Sequence, residues 1–175
     1  MTDQHAVVRA RRTAYQGRIF SVGVDTVSLP NGHVVDMEVV RHPRSVVLVP
    51  MPDIHHVVLI RQYRYVVDRW LWELPAGSLE PGENPEGAAA RECHEEIGRL
   101  PRRLERLAAL LPTPGYCDEE MLFYRADGLV EPPAPAQGDA DEQIEPRTFT
   151  LAAARAMVER GEIVDMKTVV GLGLV

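Results

Sequence analysis

The chain has 175 residues, 45% hydrophobic and 26% charged, which suits one soluble globular domain with a substantial core. A formal net charge of −7 excludes a nucleic-acid partner gripped by a broad basic surface, but not a small phosphate ligand held by local arginines and a metal. No apolar run is long enough to span a membrane, and the opening residues Met1-Thr2-Asp3-Gln4-His5 carry no apolar signal; with only Cys93 and Cys117 as thiols, the expectation is a cytoplasmic protein with reduced, non-catalytic cysteines.

Residues 19–28 mix β-branched and polar residues in rough alternation and read as a strand. Pro30-Asn31-Gly32 turns it into a second strand over 34–40. Residues 45–51 and 57–60 are continuous apolar runs, expected as central strands on either side of a Pro52-Asp53 turn. Residues 70–74 form another strand that feeds Pro75-Ala76-Gly77. A helix follows, with Asn84 as N-cap, Pro85 at the first helical position, Glu86 in the first turn and Gly98 at the left-handed end. Residues 104–111 and 121–126 read as strands, and 131–141, proline-rich then acidic, as a loop. Residues 144–148 offer a last strand. Thr150 caps a helix running to Arg160 and closed by Gly161, and a final helix follows Asp165.

The helix after Gly77 carries the chemistry. Ala89, Cys93 and Ile97 recur every four residues and supply a core-facing stripe. Glu92, Glu95 and Glu96 share another stripe, expected to turn away from the core. Three crowded carboxylates repel one another. Mg²⁺ relieves that repulsion, because it takes carboxylate oxygens and shares them with substrate phosphates. Arg91 stands next to Glu92 and four before Glu95, placed to fix a carboxylate rotamer. The alternative is a merely solvated acidic face laced with i,i+4 pairs. His94 is expected to face solvent without a metal role, and the other histidines show no zinc spacing.

The longer string decides between these readings. Gly77, five residues, Glu83, seven residues, Arg91-Glu92, Cys93 as the apolar position, His94, Glu95-Glu96, Ile97 and Gly98 together resemble the Nudix box. Arg99 departs from the apolar residue that ends the pattern, with Leu100 beside it. The resemblance extends over roughly residues 10–170. It implies an α/β Nudix fold, a mixed β-sheet sandwiched between helices (α/β/α), preceded by an N-terminal antiparallel hairpin region. It also implies a single domain over 1–175, with strands in 1–42 contributing to a homodimer interface.

Outside the box, Arg61-Gln62-Tyr63-Arg64, Trp72-Glu73-Leu74-Pro75-Ala76-Gly77 and the segment from Pro112 to Glu119 are similar to the ADP-ribose pyrophosphatase branch. A proline about sixteen residues past the box marks that branch, and Pro114 answers to it. Tyr15-Gln16-Gly17-Arg18-Ile19-Phe20, ahead of a hairpin, resembles strands that cross to the partner subunit in its dimers. The resemblance implies that Glu92, Glu95, Glu96 and the Ala76 carbonyl hold Mg²⁺, with Mn²⁺ as a substitute, and that Arg91 orients the acids. It places Arg64 against phosphate, Glu73 facing substrate, and Pro114 and Glu119 on the substrate side. Arg41 and Arg44 are expected to reach phosphate across a dimer interface, and Phe20 or Tyr15 to stack on adenine. Trp70 and Trp72 are expected as core or interface aromatics. A late-loop glutamate positions water in this branch. Asp139, Asp141, Glu142 and Glu145 are the candidates, Glu142 the choice, and solvated loop acids the alternative.

The implied activity is Mg²⁺-dependent hydrolysis of the diphosphate of ADP-ribose to AMP and ribose 5-phosphate. Another nucleoside diphosphate sugar or a dinucleotide is the alternative substrate. A non-catalytic ligand-sensing module is the third reading, and the complete set of box acids weighs against it. The expected partners are a small-molecule substrate and a second copy of the chain, with neither nucleic acid nor membrane.

Overall fold

The structure is a computed structural model that describes residues 5–135 and 143–175. The chain divides into two compact units, one built from the residues up to 44 together with 111–120, the other from 45–110 and the chain from 121 onward.

In the first unit, β1 (Val7–Gln16), β2 (Ser21–Ser28) and β3 (Val34–Arg41) form an antiparallel sheet in that order. Gly23, Asp25 and Val27 alternate inward along β2. Composition alone does not reveal β1, because it is arginine-rich and exposed at every position. Residues 17–20, expected as part of a crossing strand, instead make the turn into β2, where the Gly17 N–H donates to the Phe20 carbonyl at 3.0 Å. Val40 binds the 113–118 turn through two backbone bonds, donating to Tyr116 at 2.7 Å and accepting from Asp118 at 3.1 Å.

The second unit contains β4 (Ser45–Met51), β5 (His56–Arg64), β6 (Arg69–Glu73), β7 (Ala76–Ser78), α1 (Pro85–Ile97), β8 (Arg103–Leu110), β9 (Met121–Asp127), β10 (Ile144–Thr150), α2 (Leu151–Glu159) and α3 (Met166–Gly173). Its strands run β10-β5-β6 and β7-β4-β9-β8, and β4 pairs with β9 in parallel. The apolar run of β4 is buried on both faces, as such a run demands. Val46 and Leu48 pack with Ala88, Ala89, Cys93 and Ile97 of α1. Val47, Val49 and Met51 pack on the other side with Ala154 and Met157 of α2 and Leu172 of α3. The expected α/β/α layering is therefore present in this unit. Asn84, Thr150 and Asp165 cap the three helices, accepting from the backbone N–H of Gly87, Ala153 and Thr168 at 2.8, 3.1 and 3.0 Å. Gly98 closes α1 with φ of 65°, a conformation that favours glycine. Residues 76–78, beyond the strand expected over 70–74, pair antiparallel with the start of β4. No helix among the described residues is long and apolar enough to cross a membrane.

Candidate active site

One guanidinium organises the acids. Arg91 has five N–H donors, and all five are used. Its Nε and Nη2 donate to the two oxygens of Glu83 at 3.0 Å each. Its Nη1 donates to Glu92 at 2.7 Å and to Glu95 at 2.8 Å, and the remaining Nη2 proton goes to the Ser78 carbonyl at 3.1 Å. Glu83 also accepts from the Glu80 N–H at 3.0 Å, closing the turn that leads into α1. The bonds from Arg91 hold the Glu83 carboxyl below the usual carboxylate range and raise the guanidinium's own pKa. Glu83 appeared in the sequence only as a pattern position; its role as the bidentate partner of Arg91 depends on a turn that folds it back eight residues.

The acidic stripe does not turn outward as expected. Glu92 is 8% exposed and Glu96 6%. The loop before α1 folds over this face: the Ala76 N–H donates to Glu96 at 2.9 Å, and Glu92 lies against Gly77, where a Cβ would sit 1.9 Å from its Oε1. Only an unsubstituted backbone approaches that closely. Beneath the acids, burial and then the nearby Glu96 charge push the Cys93 thiol up to about 12, so it stays protonated and non-nucleophilic at neutral pH.

Among the described residues, no three His, Cys, Asp or Glu side chains stand together as a ready metal cage. Glu95 is turned toward Arg91. Glu92 accepts from the same Nη1 at 2.7 Å, so Arg91 ties both carboxylates, and Glu92, Glu95 and Glu96 are the acids that could hold a hard divalent cation. Mg²⁺ characteristically takes one or two carboxylates and completes its shell with water and substrate phosphate. The three carboxylates that Arg91 bonds (Glu83, Glu92 and Glu95) outnumber its one charge and leave an excess of negative charge for a cation to offset.

Arg64, at the end of β5, forms two parallel bonds with Glu73 of β6, Nε at 2.8 Å and Nη2 at 2.7 Å. Arg64 keeps 41% of its side chain exposed, while Glu73 is 1% exposed. Glu73 was expected to face substrate; its carboxylate instead faces Arg64 and Lys167 inside the fold. Burial alone would raise the Glu73 carboxyl, but these two cations hold it below its ordinary value. Lys167 was missed, and a lone lysine in a short helix carried no signal for it.

A cavity of about 500 Å³ opens beside α1, walled by His94, Glu95, Gly98 and residues 131–135. His94 does not simply face solvent, because its Nε2 lies 3.0 Å from the Ala134 carbonyl in that wall. Asp139, Asp141 and Glu142 lie outside the described residues. Glu145 is exposed on β10 opposite Arg61. Its neighbour Ile144 packs toward α1, so alternation along the strand points Glu145 to the other face. Trp72, half-buried against the core, meets Phe149 edge-on at 5.0 Å, and Trp70 lies under Arg61 at 5.0 Å.

The remaining candidates belong to the first unit. Arg41 is held by Asp25 at 2.5 Å and Asp118 at 3.2 Å, and Arg44 by Glu120 at 2.7 Å, so both expected phosphate ligands are paired with carboxylates. Glu119 stands 3.7 Å from His42. Pro114 is exposed on its turn, and Phe20 is exposed with its ring 6.2 Å from that of Tyr15.

The family model described as NUDIX domain matches residues 41–167, and the chain belongs to the NUDIX family. It is 34% identical over 159 residues to the ADP-ribose pyrophosphatase of Bacillus subtilis (strain 168), covering 91% of this chain and 86% of that one. It is 35% identical to the methanol dehydrogenase activator of Bacillus methanolicus, covering 90% and 85%. Among solved structures, the crystal structure of an ADP compounds hydrolase matches 99% of this chain and 94% of its own, with a TM-score of 0.85 at 26% identity.

Proposed function

We propose that this chain hydrolyses the diphosphate bond of ADP-ribose to AMP and ribose 5-phosphate, with Mg²⁺ as cofactor. That it is a Nudix pyrophosphatase rests on the family match and on relatives that align over 91% of the chain. The observation that carries the chemistry is Arg91, its five donors all spent on the box acids and their loop. A protein with no use for the acidic set would gain nothing by building a dedicated clamp for it.

Glu92, Glu95, Glu96 and the Ala76 carbonyl are the groups that would hold the ion. A divalent ion there supplies neutralisation of the diphosphate and acidification of water. The protein's own part is positional. Arg91 holds Glu92 and Glu95, the loop N–H at Ala76 holds Glu96, and Arg64 presents its exposed edge to phosphate. A carboxylate of the late loop, Glu142 by choice, takes the proton of the attacking water. The new P–O bond forms as the bridging P–O bond breaks, and the departing phosphate monoester carries the electron pair away.

A second reading, another nucleoside diphosphate sugar or a dinucleotide, is favoured by the broader description of the matching structure as an ADP compounds hydrolase. Specificity constants for ADP-ribose, ADP-glucose, GDP-mannose, UDP-glucose, NADH and diadenosine polyphosphates separate the two. Glu96→Gln is expected to lower kcat by about a hundredfold or more. Wild-type turnover in that variant at saturating Mg²⁺ refutes the assignment. The chain is further proposed to act as a homodimer through the first unit, where Val7, Val8, Tyr15, Ile19, Phe20 and Met37 are exposed. Light scattering at micromolar concentration should give twice the 19.5 kDa chain mass, and a monomer mass removes the claim.

A further inference from the structure

Beyond the box, the second unit holds a buried polar chain that reaches Arg64 from α3. Glu73 accepts from Arg64 on one side and from the Lys167 ammonium on the other. Lys167 is itself buried and lies 3.1 Å from Asp165. Asp165 is fixed in turn, because its Oδ2 caps α3 and accepts from the Thr168 hydroxyl at 2.6 Å. That hydroxyl accepts from the Leu74 N–H at 2.7 Å, one residue past Glu73 and two before the Ala76 N–H that binds Glu96. Two cations and two carboxylates alternate, so the tetrad is neutral.

We propose that Lys167 is a positioning residue for phosphate binding, with Asp165 setting how much of its charge reaches Glu73: by sharing the charge of Glu73, Lys167 leaves Arg64 its attraction for a diphosphate. The inference rests on the reading of Arg64 as a phosphate contact. If Lys167 were absent, Glu73 would direct its whole negative charge at Arg64, and the guanidinium would be neutralised by its own fold before any ligand arrived. Burial sharpens the effect, since an ion pair in a low dielectric is screened little by water. The pairing is also geometric. Fork-to-fork bonding fixes the guanidinium plane, and Lys167 fixes the carboxylate that sets it.

The test compares Lys167→Met, Lys167→Arg, Asp165→Asn and Arg64→Ala with the parent. Readouts are KM and kcat for ADP-ribose with Mg²⁺, and the Kd of ADP by calorimetry in EDTA. Arg64→Ala and Lys167→Met should each raise KM and the ADP Kd on the order of tenfold, with a much smaller change in kcat, and Lys167→Arg should recover most of the loss. Asp165→Asn removes a carboxylate that draws on Lys167, leaving the ammonium wholly to Glu73, so it should lower KM and the ADP Kd, and it carries the comparison if Lys167→Met fails to fold. If Arg64→Ala weakens binding while Lys167→Met does not, or Asp165→Asn fails to tighten it, the relay is wrong and the phosphate reading of Arg64 stands. If Arg64→Ala leaves both constants unchanged, that reading and the relay fall together. A parent inactive on ADP-ribose sinks the proposed substrate, and the ADP binding series still decides the relay.

Discussion

Gly77→Ala separates activity from stability. A Cβ at position 77 would lie 1.9 Å from Glu92 Oε1, 2.1 Å from its Cδ and 2.4 Å from its Oε2. Ordinary contact begins near 3.4 Å, so the carboxylate must withdraw by about 1.5 Å. It sits at the end of a flexible side chain and can swing without moving backbone, and Gly77 is not among the glycines with positive φ. Alanine there is compatible with the fold and reduces unfolded-chain entropy, which is worth up to about 1 kcal/mol in favour of folding. The swing, however, breaks the 2.7 Å Arg91–Glu92 bond and displaces a proposed metal ligand. A misplacement of about 1 Å can cost on the order of a hundredfold, or about 2.7 kcal/mol of transition-state stabilisation. Steady-state ADP-ribose hydrolysis at saturating Mg²⁺, run beside a thermal melt, should show that loss in kcat/KM with Tm within about 5 °C of the parent, the entropy gain offsetting part of the lost Arg91–Glu92 bond. A kcat/KM within about threefold of the parent would refute the reasoning, and so would a collapse of Tm that explains the lost activity.

Gly171→Ala should behave in the opposite way. Its Cβ would meet Leu74 Cδ1 at 2.3 Å, with Val49 and Phe123 close behind, and overpacking of this kind costs roughly 1–3 kcal/mol, a fall of about 2–10 °C in a calorimetric Tm; an unchanged Tm counts against it. Arg91→Lys leaves at most three donors for five acceptor contacts, so kcat/KM should fall about 10–100-fold even though the charge is kept, and activity near the parent's would show that charge alone suffices. Glu73 and Glu83 both have lowered folded-state pKa values, so their contribution to stability is complete above the ordinary 4.5 and is lost as pH falls through the lower folded values. Urea midpoints should therefore drop below about pH 4, and a midpoint flat across that range would exclude the contribution.

What the sequence made legible was local. The caps at Asn84 and Thr150, the helix start after Asp165, the left-handed Gly98 and the apolar runs at 45–51 and 57–60 each declare themselves within a few residues. The acids of α1 were visible in the same way. Their environment was not, because Glu92 and Glu96 are buried by a loop whose path is set by β7 pairing with β4. Lys167 reaches Glu73 across 94 positions, a separation that no periodicity encodes. Arg41 and Arg44 read as free cations in the sequence because Asp118 and Glu120 lie far along the chain. The strand β1 escaped because its ten residues are all exposed, which removes the alternation by which strands are found.

Cys93 offers a reporter that no labelling would have to introduce. Packed under the carboxylates and kept as the thiol, it is out of reach of alkylating agents and peroxide while α1 stays seated, whereas Cys117 is partly open to solvent. Mass spectrometry after timed iodoacetamide exposure would count one early adduct and one late one. The delay of the second measures how often the acid-bearing helix lifts off its sheet, a local opening equilibrium read without substrate or metal.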